Sequence, residues 1–397
     1  MLNIYWYLFM KKKFSRITFQ DNFIIGKISL LNEYLKELSK ISAMIDKQLD
    51  PFNKNLTEIE YLIKGDPTAL NIHKVFAWPL NFEEWKKVSI STESSIKKAN
   101  IIGISYNVFS LNKQIIPPLI IFEISFFGKN SLYRFNTLEI KIGKEIYDYV
   151  MNDFASLNNV KLIQTVYELV LNNFQNKIAE NLSMEEKTFV ITDLPLTCEE
   201  FLNWNKEEII PLYNTIDKFL KYFKSINVIP VSIVNYESSP LINSFKKYFF
   251  GADSRCSECI YGKPMCSPLN IITDKFFLKG KVNKKERSPL LKYINSNMMP
   301  DITKEEILIF YINTSTNYLQ RIEIPYFAIE HIQDIHYVLL KEYEKCYRVF
   351  KKDGFYSLMK AKRLFVSTDK NIVQVLDAKF RKETVKQFEK EIGLLRY

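Results

Sequence analysis

Residues Phe189–Leu196, FVITDLPL, constrain the fold more than any other stretch of this chain. They form an apolar run that ends in one carboxylate, Asp193, two residues before a proline. β-Branched and aromatic side chains at successive positions suit a strand buried on both faces. Such a strand belongs inside an α/β sheet, and this one delivers Asp193 to the sheet's tip, a place where divalent-metal chemistry is often done. Val228–Val234, VIPVSIV, is a second buried strand. An earlier strand, Asn100–Phe109 (NIIGISYNVF), carries Ser105 where a partner acid is expected.

The elements around these strands follow from periodicity. Phe23–Leu49 places Ile28, Leu31, Leu35, Leu38, Ile41 and Ile45 at helical spacing, and Asp50-Pro51 stops that helix. A shorter helical piece, Leu56–Lys64, follows. Asn100–Phe109, Leu119–Phe127 and the alternating Leu132–Ile142 come in succession and predict an antiparallel meander. A long helix is expected within Glu145–Asn181, another over Leu212–Ser225 and a third over Leu241–Phe250. Leu308–Tyr311 and Leu319–Ile324 read as a strand pair around Asn313-Thr314-Ser315, and Ile329–Val349 and Lys370–Gly393 as closing helices. A meander followed by alternating helix and strand suits a mixed sheet flanked by helices, as in ribonuclease-H-like folds. The expected organisation is an N-terminal helical extension over 1–95 and a main domain over 96–397. An insertion at about 251–300 carries an irregular cysteine-bearing loop.

Composition sets bounds on partners. The chain has 397 residues, 47% of them hydrophobic, enough for a large core, and the 10 glycines are too few for a repeat or disordered class. The net charge of +10 is compatible with a polyanionic partner, although an AT-rich coding bias toward lysine gives the same sign. The apolar start, Met1–Met10, precedes Lys11–Lys13 instead of following a basic segment and is too short to span a bilayer. A cytoplasmic protein with no membrane partner is therefore expected. Cys256, Cys259 and Cys266 cluster as C-x2-C-x6-C, which suits a zinc knuckle or an iron–sulfur ligand set, a Cys256–Cys266 disulfide, or free thiols. A fourth zinc ligand would have to come from Cys198, Cys346, His331 or His336 through tertiary approach.

Seven blocks in order then resemble one family, the NurA nucleases of archaeal DNA-end resection, over roughly Lys98 to Val375. Ser105-Tyr106-Asn107 stands where that family has Asp-Gly-Ser at a strand end. Glu168 in TVYELVL matches its helix Glu, and Asp193-Leu194-Pro195-Leu196 its second Asp motif with the Gly replaced. Val228–Val234 with the polar turn Tyr236–Ser239 matches the next block. Gly280 through Glu286-Arg287-Ser288 resembles a Gly-x-Arg-Ser stretch, Arg321-Ile322-Glu323-Ile324-Pro325 an Arg-Val-Glu-x-Pro block, and Gly354–Arg363 (GFYSLMKAKR) the late Tyr-Pro-x-x-Leu-x-x-Ala-His motif.

The resemblance implies that Glu168 and Asp193 keep two of the family's three manganese- or magnesium-binding roles. Apart from it, Glu123 in the strand after Ser105 is a candidate for the third by pointing to the same sheet end, the alternative being an acid on the solvated face of the meander. The resemblance also implies a degenerate site, because Ser105 replaces the first acid, Gly354 the late Tyr and Lys362 the late His. Two hard cations about 4 Å apart need several carboxylates to offset their repulsion, and a neutral hydroxyl and an ammonium do not supply them. Glu168 also reads as an ordinary surface acid and Asp193 as a turn cap. The expected function is DNA-end processing or genome maintenance by a weakened or inactive nuclease homologue. The expected partners are DNA, a HerA-type hexameric ATPase or a NurA paralogue, and a second chain in a homo- or heterodimer. The alternative is an active manganese-dependent DNA nuclease with rearranged ligands. Lys360, Lys362 and Arg363 are the expected nucleic-acid contacts, ahead of Lys246-Lys247 and Lys284-Lys285-Arg287, with Tyr106 and Phe355 as candidate stacking rings.

Overall fold

In a computed structural model the described residues are 75–80, 88–89, 99–111, 119–129, 131–142, 159–182, 186–199, 206–234, 239–244, 273–278, 282–295, 306–315, 318–365 and 378. Among them one mixed sheet contains β1 (Val75–Pro79), β2 (Val88–Ser89), β3 (Ala99–Leu111), β4 (Leu119–Phe127), β5 (Phe135–Ile142), β6 (Lys187–Thr192), β7 (Val228–Val234), β8 (Glu286–Arg287), β9 (Leu291–Asn295), β10 (Ile307–Ser315) and β11 (Tyr318–Pro325). The order is β1-β9-β10-β11-β7-β6-β3-β4-β5, with β2 and β8 attached at β10. β3, β4 and β5 are the expected antiparallel meander. β6 and β7 then run parallel to β3, so the C-terminal ends of β6 and β7 lie side by side next to the middle of β3.

The helices cover both faces. α1 (Asn159–Lys177) and α2 (Lys206–Ser225) carry apolar residues three and four apart, and bury Val166, Tyr167, Val170, Phe174, Phe219 and Phe223. These meet Ile102, Ile104, Phe122, Ile124 and Val190 on one side of the sheet. The opposite side, with Phe189, Ile191, Val231, Phe310 and Ile322, packs on α4 (Ile332–Phe350) and α5 (Tyr356–Lys362) through Leu339, Tyr343 and Leu358. Between α2 and α4 a short α3 spans Asp274–Leu278. Each buried Leu or Phe of this kind contributes roughly 1.5–3 kcal/mol.

Two expected boundaries move. β1 and β2 fall within the segment read as an N-terminal helical extension, yet they pair with β9 and β8. β8 and β9 in turn lie inside the segment read as an insertion and also pair with β10. All four are strands of at most five residues, too short for their alternation to stand out in sequence. The helices expected at Phe23–Leu49 and Leu56–Lys64, and the cysteines Cys256, Cys259 and Cys266, lie outside the described residues. No helix of the described residues is long and apolar enough to cross a membrane.

Candidate functional site

The parallel register sets Ile104 beside Thr192, the last residue of β6, so Ser105, midway along β3, meets Asp193 just past the end of β6. In open α/β sheets this is where ligands bind. Ser105 is fully buried and its hydroxyl donates to Asp193 Oδ2 at 2.7 Å. Lys362, from the last turn of α5, places its ammonium 3.1 Å from the same oxygen. The Asp193 side chain is 12% exposed and the Lys362 side chain 37%. Asp193 Oδ1 is buried and accepts no hydrogen bond among the described residues. Burial pushes the Asp193 carboxyl above its ordinary range, and the Lys362 charge and the Ser105 hydroxyl pull it back.

Ser105 and Lys362, the two positions read as departures from the resembled motifs, therefore converge on Asp193 from strand and helix. α5 reaches the site because β3 has a glycine beneath it. A Cβ at Gly103 would stand 2.3 Å from the Ser357 carbonyl carbon and oxygen. Only a residue without a side chain lets the α5 backbone lie that close. The Ser357 N–H then donates to Glu342 Oε2 of α4 at 2.5 Å, which fixes the start of α5. At the end of α4 the chain turns through Lys351 at φ 54° and Gly354 at φ 148°, so a glycine at position 354 serves the backbone.

The loop after Asp193 is held from several directions. Leu196 and Thr197 N–H groups donate to Glu323 Oε2 at 2.7 and 3.0 Å, and the Thr197 hydroxyl to Glu323 Oε1 at 2.7 Å. Arg321 pairs with Glu323 Oε1 at 2.8 Å and with Glu199 Oε1 at 2.7 Å. Tyr167 of α1 donates to the Pro195 carbonyl at 2.7 Å, and Ser232 of β7 to the Leu194 carbonyl. Arg321 and Glu323 are fully buried. Their two-residue spacing puts them on one side of β11. The Arg-Ile-Glu block was visible in the sequence. Its role as a clamp on the Asp193 loop was not, because Glu199 and Thr197 stand more than 120 positions away.

The other candidates are placed as follows. Glu123 is fully buried on β4, opposite Asn107 and on the Ser105 side of the sheet, where Asn136 Nδ2 donates to its Oε1 at 2.5 Å. Glu168 lies on α1 and accepts from Gln164 at 3.0 Å, one turn earlier on its own helix. α1 packs on the sheet side that carries Ile104, opposite the side that carries Gly103 and α5. Among the described residues no group of three or more His, Cys, Asp and Glu side chains is placed to hold a metal ion. The donors gathered at Asp193, one carboxylate, a hydroxyl and an ammonium, do not fit manganese or magnesium.

Lys360, Lys362 and Arg363 divide between two sides of α5. Lys362 turns to Asp193, whereas the Arg363 guanidinium lies 4.0 Å over the Phe350 ring and the Lys360 ammonium 5.6 Å from it. Arg287 is buried and donates to the Ser288 carbonyl at 2.8 Å. Phe355 is buried in the core at 1% exposure, so it offers no stacking face. Cys198 and Cys346 are buried free thiols, and burial pushes Cys346 up to about 11. His336 is buried against Phe310. Among the described residues Cys346 and His336 belong to no cluster of metal-ligating side chains.

No protein-family model matches the sequence, and no curated protein matches it. Among solved structures, the NurA nuclease from Sulfolobus solfataricus is similar at 13% identity and a TM-score of 0.42, over 86% of this chain and 98% of that one. A NurA structure bound to dAMP and manganese is similar at 9% identity and a TM-score of 0.33, over 85% of this chain and 94% of that one. Drosophila Piwi is similar at 12% identity and a TM-score of 0.26, over 68% of this chain and 30% of that one.

Proposed function

We propose that this chain is a NurA-like protein of DNA-end processing or genome maintenance in which metal-dependent cutting is weakened or lost. The observation that carries the reading is the Asp193 carboxylate held by the Lys362 ammonium at 3.1 Å and the Ser105 hydroxyl at 2.7 Å. A lysine ammonium there supplies internally the positive charge that a divalent ion would bring. It also repels that ion. Seven sequence blocks in family order support the assignment, and Ser105, Asp193 and Lys362 come from three of them. The ribonuclease-H-like part of the reading is supported by the run β5-β4-β3-β6-β7, a meander followed by two crossover strands parallel to its first member.

In this reading the site holds phosphate instead of hydrolysing it. An ammonium has three N–H donors, and a side chain 37% exposed can turn those not aimed at Asp193 toward a DNA backbone. A HerA-type translocase or a catalytic paralogue supplies motion or cutting, and the chain functions as one member of a dimer. The main domain includes the sheet strands that precede residue 96.

The test is a digestion assay on linear single- and double-stranded DNA with manganese and then magnesium. The expected result is no degradation above the buffer control, since loss of a charged ligand from a metal site costs orders of magnitude in rate. Robust manganese-dependent degradation, abolished by Asp193→Ala, overturns the proposal and establishes the active nuclease with rearranged ligands.

A further inference from the structure

The side of α5 that faces away from Asp193 carries a cluster of cations and rings to which the site above assigns no task. Tyr356 stacks on Phe350 with centroids 5.8 Å apart and meets Phe127 of β4 edge-on at 5.9 Å. Lys345 of α4 sits 3.9 Å over the Tyr356 ring, and Lys360 lies 5.7 Å from the same ring. Arg363 covers Phe350 at 4.0 Å, and Arg134 covers Phe127 at 5.1 Å. Four cations thus share three touching rings. None of the four forms an ion pair among the described residues.

Like charges gathered this closely repel one another. The Lys345 ammonium is pulled below its ordinary range by burial first, and Lys129, Lys360 and Arg348 depress it further against the opposing pull of Glu342. Glu342 is 5% exposed and accepts the Ser357 N–H, so it lies below this surface. Cation–ring contacts are weak at exposed sites and leave the positive charge in place.

We propose that this α4–α5 face is a binding surface for single-stranded nucleic acid. The cations take successive phosphates, and the exposed edges of Phe127, Phe350 and Tyr356, whose faces are taken by one another and by the cations, give the bases apolar contact. An acidic protein segment would use the cations alone, whereas a single strand also covers the ring edges. The surface and the Asp193 site share α5, one on each side of it, with Lys362 and Arg363 adjacent in sequence. This inference rests on the nuclease-like reading for the identity of the strand it binds.

The test uses the full chain in EDTA and a fluorescein-labelled oligothymidylate of about twenty nucleotides, followed by anisotropy across a salt series. The combined variant Lys345→Gln, Lys360→Gln, Arg363→Gln is expected to bind at least about tenfold more weakly. Its log-affinity slope against log salt becomes shallower by about two, at roughly 0.7 per lost phosphate contact. Lys345→Arg with Lys360→Arg keeps the charge and is expected to stay within about threefold of wild type.

Three results with these variants and competitors overturn the surface, and a fourth with Lys362→Met does so as well. In one, the neutralised variant binds like wild type with the same slope. In another, the charge-keeping variant loses as much as the neutralised one, which makes the cations packing elements. In the last, a polyglutamate peptide competes as well as the oligonucleotide. If Lys362→Met abolishes binding while the neutralised variant does not, the strand-end site alone holds the strand. The surface then fails while the nuclease-like reading stands. That reading fails separately, in the digestion assay.

Discussion

At the scale of single residues the decisive relation is Asp193 with its two donors. Both raise the tendency of the carboxyl to ionise, against a burial term that is larger than either. Removing the Lys362 charge must therefore move the Asp193 titration upward. Lys362→Met is expected to do so in a 13C-carboxylate NMR titration, and Ser105→Ala to do so by less. An Asp193 titration unchanged in Lys362→Met would mean that the ion pair is not formed in solution. The stability change should be small, about 1 kcal/mol or less, because the lysine is 37% exposed and water screens the pair. Asp193 and its strand were legible in the sequence because an apolar run ending in an acid has few other uses. That Ser105 would hand its hydroxyl to that acid was not, since 88 residues separate them.

At the scale of elements, α5 is positioned by Gly103 and Glu342, and the Asp193 loop by Arg321. Gly103→Ala pushes a methyl into the Ser357 backbone, where a Cβ would be 2.3 Å from the nearest atoms. Backbone cannot yield as a side-chain tip does, so α5 must lift from β3. The expected cost is on the order of 1–3 kcal/mol in urea denaturation, accompanied by loss of the Lys362 effect on the Asp193 titration. Unchanged stability together with an unchanged titration would show that α5 does not rest on Gly103. The meander strands β3, β4 and β5 were readable from their apolar runs and their alternation. The helices α1, α2 and α4 were readable from their spacing of three and four. β1, β2, β8 and β9 were not, because a strand of two to five residues completes at most about two and a half periods of alternation.

At the scale of the whole molecule, buried acids give the stability its pH dependence. Asp274 is fully buried, accepts the Leu241 and Ile242 N–H groups at 3.0 Å each, and takes the Tyr311 hydroxyl at 2.8 Å. Burial raises its carboxyl from 3.8 to about 7 despite those bonds. The folded state therefore keeps a proton between these values that the unfolded chain has released. Stability from this group is greatest below the unfolded value, falls as pH rises toward about 7, and is level above it. Asp193, Glu323 and Glu342 are shifted in the same direction, each by burial first. Asp274→Asn is expected to flatten the decline in unfolding free energy measured between about pH 5 and about pH 8. A variant whose stability falls as steeply as wild type over that window would remove Asp274 from the account.

The sequence by itself determined where apolar runs become strands and helices, because burial needs a local pattern of period two or of period three to four. The resemblance in motif order implied a single site for Ser105, Asp193 and Lys362, as an expectation. Tertiary structure alone decided that Lys362 and Ser105 meet on one carboxylate oxygen while Lys360 and Arg363 turn away to Phe350. It likewise decided that Glu199 and Glu323 share Arg321. Such relations depend on distances between residues far apart in the chain. Sheet register and helix docking set those distances, and no local pattern of side chains encodes them.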